Sequence, residues 1–231
     1  MKAVAIIPAR GGSKRIPRKN IRPFLGRPII SYVIEAGKQS GSFDEVMVST
    51  DDEEIAGVAR RCGAQVPFMR SARTADDQSV TLDVLREVID CYRQIGRQFD
   101  ILCCIYPTAA LTQPRALSQG RQKLLADPGA ACVLPIVRYS APIQQALYEK
   151  DGRVHMFNPE LVYARTQDLE PSYHDAGQWY WMRTSALDDP AFRILGSSSA
   201  PLMLNEMQVQ DIDTEEDWVI AEAKYRLLRD D

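Results

Sequence analysis

Ala3-Val-Ala-Ile-Ile-Pro-Ala-Arg-Gly-Gly-Ser-Lys-Arg-Ile-Pro-Arg-Lys-Asn20 is the stretch on which the reading of this chain turns. Its first half is a short apolar run, rich in β-branched side chains, that stops at Pro8, the pattern of a strand buried on both faces. Its second half is a glycine pair, Gly11-Gly12, set among Arg10, Lys14, Arg15, Arg18 and Lys19. A buried strand that runs straight into such a loop offers backbone N–H groups and fixed cations at one edge of a sheet, where an α/β protein holds a polyanion. The glycines let the backbone turn sharply and approach a ligand with no Cβ in the way. Arg10 leaves the strand and Lys19 returns at the far side of the loop, so the two can grip a phosphate chain from opposite flanks. The loop matches neither of the best-known phosphate motifs: no Gly-Lys-Ser/Thr opens a helix, and Gly-x-Gly-x-x-Gly is absent. The alternative is a solvated basic loop; its place after a first buried strand favours phosphate.

Outward from this stretch, strand and helix signals alternate. Residues 28–40 read as a helix, with Ile30, Val33 and Ile34 on one face and Gly41 just past the end. Residues 45–50 read as a second strand, followed by Asp51-Asp-Glu-Glu54, acids suited to the first turn of a helix. A short third strand is expected at 65–68, a helix at 80–95, strands at 100–106 and 130–137, and a helix between them from about Pro114 to Leu125. This order implies right-handed crossovers and a Rossmann-like, mostly parallel sheet flanked by helices. The rhythm changes over 141–184, rich in Tyr, Gln and His, which reads as an inserted lobe of short antiparallel strands and loops. Within it, Trp179-Tyr-Trp181 alternates as a strand does, and His155 and His174 have no partner at metal-ligand spacing. A strand near 202–208 and a helix over 214–228, capped by Thr214 with Asp217, restore the α/β pattern. The whole, 1–231, is expected to be a single domain carrying that lobe.

The totals agree. A chain of 231 residues, 45% hydrophobic and 26% charged, buries a substantial core without staples. Its net charge of −3 confines the basic residues to a local cluster on an acidic background, which argues against nucleic acid as partner. The apolar run 3–9 is too short for a bilayer and lacks the features of a secretory signal, so no membrane association is expected. Five cysteines, odd in number and without Cys-x-x-Cys spacing, point to reduced thiols, a cytoplasmic setting and no zinc site.

A second constellation is Asp211-Ile-Asp213. On an extended chain the two carboxylates share one face while Ile212 points to the core, a donor set suited to Mg²⁺, which keeps its other positions for water and phosphate oxygens. Capping of the last helix is the alternative role. Tyr106-Pro-Thr-Ala109 follows a buried strand and is expected on the same rim as the basic loop. The segment from Arg70 to Thr81 can offer hydrogen bonds to a base or ribose, or simply cap the helix that follows.

Three of these segments resemble one family. Ile6 to Asn20, Val48-Ser-Thr-Asp51 and Asp211-Ile-Asp-Thr214 look, in order and spacing, like the cytidylyltransferases that activate acidic sugars, the CMP-sialic acid and CMP-Kdo synthetases. The resemblance implies CTP and an acidic sugar as substrates and Mg²⁺ as cofactor. Arg10 and Lys19 would hold the triphosphate, Ala9, Gly11, Ser13, Asn20, Arg70, Asp77 and Thr81 would line the nucleotide pocket, and Asp211 and Asp213 would bind the metal. Tyr106, Thr108, Arg165, Asp175 and Gln178 would face the sugar, and the lobe would build a homodimer. Residues 163–181 look most like the pseudaminic acid branch. Two departures from the sialic acid pattern fit a differently substituted nine-carbon acid: Ala109-Ala-Leu-Thr112 carries no arginine, and Gln144 stands where a lysine is usual. A sialic, legionaminic or Kdo-type substrate, or a non-catalytic nucleotide-binding relative, are the alternatives.

Overall fold

The computed structural model describes residues 1–13, 15–75 and 80–228. Its frame is a sheet of seven strands: β1 (Ala3–Pro8), β4 (Glu45–Ser49), β5 (Ile101–Ile105), β6 (Cys132–Arg138), β9 (Tyr173–Asp175), β10 (Trp179–Arg183) and β11 (Ser199–Met203). The spatial order is β11-β6-β10-β5-β1-β4, with β9 also against β6. Pairs β1–β4, β1–β5 and β11–β6 are parallel, while β10 runs antiparallel between β5 and β6 and β9 is antiparallel to β6. Followed through these pairings, β1, β4, β5, β6 and β11 run in one direction and β9 and β10 against them, so the sheet is mostly parallel with two antiparallel strands. The short strands β2 (Pro23–Phe24) and β3 (Arg27–Pro28) form one hairpin, and β7 (Leu147–Lys150) and β8 (Arg153–Met156) another. The helices are α1 (Ile30–Gln39), α2 (Glu53–Arg61), α3 (Thr81–Gln94), α4 (Pro114–Ala126) and α5 (Glu215–Leu227). Among the described residues no helix is long and apolar enough to cross a membrane.

Alternation along β1 divides the core. Ala3, Ala5 and Ile7 pack with Ile34 of α1, Ile55 of α2 and Leu117 of α4, whereas Val4 and Ile6 pack with Leu85, Val88 and Ile89 of α3. A strand covered on both faces must be apolar at every position, which is why β1 reads as a continuous run. A third cluster, built from Ile16, Phe24, Ile29, Tyr32, Ile212 and Trp218, clamps the basic loop between α1 and α5.

Three expectations need correction. Residues 65–68 make only a single bridge, Gln65 to Met47, because Pro67 has no N–H to continue a ladder. The last strand lies at Ser199–Met203 rather than near 202–208, since Asn205 opens a capped 3-10 turn over Glu206–Gln208. The lobe is also shorter than 141–184, because β9 and β10 belong to the central sheet. There Trp179 and Trp181 point to the α4 side and Tyr180 to the α3 side, all three buried. These aromatics are core. Trp181 stacks on Phe43 with centroids 4.8 Å apart and donates Nε1–H to the Leu117 carbonyl at 2.9 Å.

Candidate active site

The register brings Pro8 beside Ser49 and Trp179 beside Ile105, so the ends of β1, β4 and β5 and the start of β10 share one sheet edge. The loops leaving this edge carry almost every residue singled out above.

On the β1 side, the basic loop is held by acids from the end of β4. The Gly11 N–H donates to Asp51 Oδ1 at 2.9 Å, and the Asn20 side chain donates to the Arg10 carbonyl at 2.9 Å, closing the loop on itself. Arg18, in the left-handed backbone region at φ 54°, pairs with Asp52 at 2.5 Å and also with Glu54. That guanidinium holds the Asp52 carboxyl below the usual range. Asp52 also accepts the Ile55 N–H at 3.0 Å as N-cap of α2. Reading Asp51 to Glu54 only as the start of a helix missed this second task; the signal was four acids in one segment opposite a field of arginines. Ala9 is buried and donates its N–H to the Ser49 carbonyl at 2.9 Å, while the Ser13 N–H returns to the Gly11 carbonyl at 3.1 Å.

Arg70 lies behind this loop. It is buried, with its guanidinium donating to the Ser49 carbonyl at 2.6 Å and to Ser49 Oγ at 3.1 Å, and burial lowers its pKa from the ordinary arginine value.

Beside the basic loop, Ile212 is buried and turns Asp211 and Asp213 outward, as the alternation requires. Lys19 reaches this segment, donating to the Ile212 carbonyl and standing 3.5 Å from Asp213 Oδ1; Arg15 meets Asp213 Oδ2 at 2.6 Å. The Asp211 carboxyl is pushed above the ordinary value by desolvation and by the negative charge of Asp213. The capping role is taken by other groups: Thr214 and Asp217 form the expected capping box of α5, leaving both carboxylates of the Asp-Ile-Asp segment to the cleft. Among the described residues no group of three or more metal-ligating side chains gathers anywhere. Two carboxylates with phosphate oxygens still to come match what Mg²⁺ requires.

At the β5–β10 side, Thr81 Oγ1 lies 3.0 Å from the Tyr106 hydroxyl, whose ring meets Tyr180 edge-on at 5.5 Å. The Tyr180 hydroxyl donates to Asp175 Oδ2 at 2.6 Å. Desolvation drives the Tyr106 and Tyr180 pKa values upward, so both stay protonated donors. Gln178 is 2% exposed and donates to the Gln208 carbonyl at 2.6 Å, which braces the start of β10. Thr108 sits in the turn after β5. Arg165 lies out on the lobe, largely exposed, with its guanidinium on Asp168 at 2.9 Å; the contacts described do not join it to the Tyr106–Asp175 group. Asp77 lies outside the described residues. The histidines are lobe and rim residues: His155 stacks on Tyr148, and His174 Nδ1 lies 2.9 Å from the Asp175 carbonyl.

This geometry has known counterparts. The family model for cytidylyltransferases matches residues 4–179, from β1 to the first residue of β10. The chain belongs to the cytidylyltransferase family. It is 40% identical over 228 residues to a pseudaminic acid cytidylyltransferase of Campylobacter jejuni, covering 98% of this chain and 97% of that protein. It is 34% identical to a CMP-N,N'-diacetyllegionaminic acid synthase of Legionella pneumophila, over 98% and 97% of the two chains. Among solved structures, a CMP:2-keto-3-deoxy-manno-octonic acid synthetase complexed with CTP superposes over the full length of both chains with a TM-score of 0.72 at 20% identity, which is a likeness of fold. Family membership gives the loop at 10–20 its context: a cytidylyltransferase must bind a nucleoside triphosphate, and this is where the sequence concentrates its cations.

Proposed function

We propose that this chain transfers the cytidylyl group of CTP to an acidic nine-carbon 2-keto sugar, pseudaminic acid, giving the CMP-sugar and pyrophosphate. The observation that carries the reading is the 40% identity to a pseudaminic acid cytidylyltransferase across 98% of the chain. The approach of Lys19 to Asp213 supports it, because cation grip and acidic pair then meet at one place.

The anomeric hydroxyl of the sugar attacks the α-phosphorus; the new P–O bond forms as the α–β bridging P–O bond breaks, the electron pair leaves with pyrophosphate, and the hydroxyl proton passes to solvent. Catalysis of this kind rests on positioning and charge neutralisation. Arg10 and Lys19 flank the triphosphate and offset the charge that accumulates on the leaving group. Arg70, fixed on Ser49, and Thr81 face the nucleotide, and the Tyr106–Tyr180–Asp175 group bounds the sugar end. Asp211 and Asp213 would hold Mg²⁺, which when bound supplies positive charge to the phosphate oxygens and orients the attacking hydroxyl.

The lobe supports a homodimer. With Trp179 to Trp181 assigned to the core, its exposed apolar side chains include Ile143, Leu147, Val154, Phe157, Val162 and Tyr163. Exposed apolar side chains in that number on a small lobe support an interface reading. Five cysteines, all free, agree with a cytoplasmic enzyme.

The test is pyrophosphate release across CTP, UTP and ATP and across a panel of eight- and nine-carbon 2-keto acids. CTP with pseudaminic acid should give the highest kcat/KM. Faster turnover with UTP or ATP, or with a Kdo-type acid, would overturn the assignment.

A further inference from the structure

A cavity of about 560 Å³ opens between the start of α3 and the segment 190–195. It adjoins the sugar end of the cleft through Tyr106 and Asp175, and its two walls differ in chemistry. One is polar and rigid: Thr81, Tyr106, Tyr180 and Asp175, tied by the 3.0 and 2.6 Å hydrogen bonds described above. The other is apolar, formed by Leu82, Ile194 and Leu195. Leu195 is 70% exposed, a large hydrophobe standing in water at the cavity mouth. Arg193 lies between the walls. Its Nη1 donates to the Pro190 and Phe192 carbonyls at 2.8 Å each, and among the described residues it pairs with no carboxylate. The guanidinium is thus anchored at one nitrogen and keeps further N–H donors.

We infer that this cavity is the compartment for an acylamino substituent of the sugar acid, with Arg193 and Leu195 as specificity-determining residues. An acylamino group presents three things at once: an N–H that needs an acceptor, a carbonyl that needs a donor, and an apolar acyl end. Asp175 supplies the acceptor. Its Oδ2 already takes the Tyr180 hydroxyl and its Oδ1 the Gly177 N–H at 2.9 Å, and a carboxylate oxygen accepts more than one bond. Arg193 supplies the donor, and Leu82, Ile194 and Leu195 receive the acyl end. A hydroxyl in place of the acylamino group would leave the apolar wall wet and Arg193 without its acceptor. A nucleobase is the competing occupant, but of the described residues assigned to the nucleotide only Thr81 lines this cavity, at the edge the two compartments share; Ala9, Gly11, Ser13, Asn20 and Arg70 do not.

The inference rests on the function proposed above, and its test separates the two. Initial rates are measured with CTP and a nine-carbon 2-keto acid carrying an acetamido group, and with the acid carrying a hydroxyl at the same carbon, for the unmodified enzyme, Leu195→Glu, Arg193→Gln and Arg193→Lys. The unmodified enzyme should prefer the acetamido acid. Leu195→Glu and Arg193→Gln should each lower that preference by about tenfold through the sugar KM, with KM for CTP unchanged and Arg193→Lys restoring part of the loss. Circular dichroism and melting curves confirm folding of each variant. An unchanged preference in both variants, or a rise in KM for CTP instead of for the sugar, would overturn the inference while leaving the cytidylyltransferase reading intact. No turnover with either acid, nor with any other 2-keto acid, would overturn that reading and the inference with it.

Discussion

Lys19 and Asp213 face each other at 3.5 Å, and through them the first loop of the chain is tied to the segment before its last helix. Asp213 also takes Arg15 at 2.6 Å, so one carboxylate restrains two cations of the basic loop. Both pairs are partly exposed, and each contributes little to stability. Their consequence is functional: what binds Asp213 competes with Lys19 and Arg15.

Asp213→Asn separates these roles. The substitution keeps the volume and removes the charge, so Mg²⁺-dependent turnover should fall by about 100-fold or more. Affinity for CTP without metal, measured by calorimetry, should hold or improve, because Lys19 and Arg15 no longer answer to an internal anion. A near-normal rate at limiting Mg²⁺ would place the metal elsewhere.

Asp211 gives a prediction with a definite sign. Its carboxyl titrates above the ordinary value, so the folded protein binds that proton more tightly than the unfolded chain does. Stability contributed by the neutral form is present below the unfolded pKa and lost as pH rises through the folded one. At neutral pH the charged Asp211 therefore destabilises the metal-free protein, and Asp211→Asn should raise its Tm while abolishing the further rise expected of the unmodified enzyme on adding Mg²⁺ and CTP. A lowered Tm in the metal-free variant would show that the carboxylate is compensated after all.

The strand–loop–strand logic of this site was legible because both its ends are written locally. A β-branched run stopping at Pro8 before Gly11-Gly12 marks the sheet edge, and Asp-x-Asp with a buried Ile212 marks the adjoining rim. Less legible were features made by long-range pairing. Nothing local says that Trp179 to Trp181 enter the sheet antiparallel between β5 and β6, since alternation fits an interface strand equally well. Nor does local sequence show that Gln178 turns inward to Gln208, or that Asp51 and Asp52 are spent on Gly11 and Arg18. These follow only once β1 and β4 are side by side.

Gly11 should resist substitution for a reason visible in the packing. A Cβ there would stand 2.8 Å from Asp52 Oδ2, and Asp52 cannot yield freely because Arg18 and the Ile55 N–H hold it. Gly11→Ala should displace the loop and lower kcat/KM for CTP by about 10- to 100-fold, with the melting temperature little changed. Unaltered kinetics with CTP would mean that the loop does not set the triphosphate's position.

Gly120 tests the core assignment of the tryptophans. A Cβ on this α4 residue would come 2.6 Å from the Trp179 ring and 2.7 Å from Trp181. Helix propensity alone would favour alanine by about 1 kcal/mol, but overpacking against two fully buried rings costs about 1–3 kcal/mol. Gly120→Ala should therefore gain nothing and destabilise by up to about 2 kcal/mol in urea denaturation. A gain in stability would show that α4 does not rest on β10.

The lobe makes the last prediction. Strands β7 and β8 have four residues each, almost all exposed, and a lone two-stranded hairpin is marginal in water. Its ring contacts, Tyr148 with His155 at 5.3 Å and with Phe157 at 5.0 Å, still leave Val154 and Phe157 open to solvent. Such a hairpin holds its shape when a second surface covers it, and a two-fold axis lets the same patch on another copy do so. The unmodified protein should therefore sediment as a dimer at micromolar concentration. Val154→Glu with Phe157→Glu should shift it to the monomer, leaving the far-UV spectrum of the central domain unchanged. If the unmodified protein is monomeric and fully active under those conditions, the lobe serves another purpose.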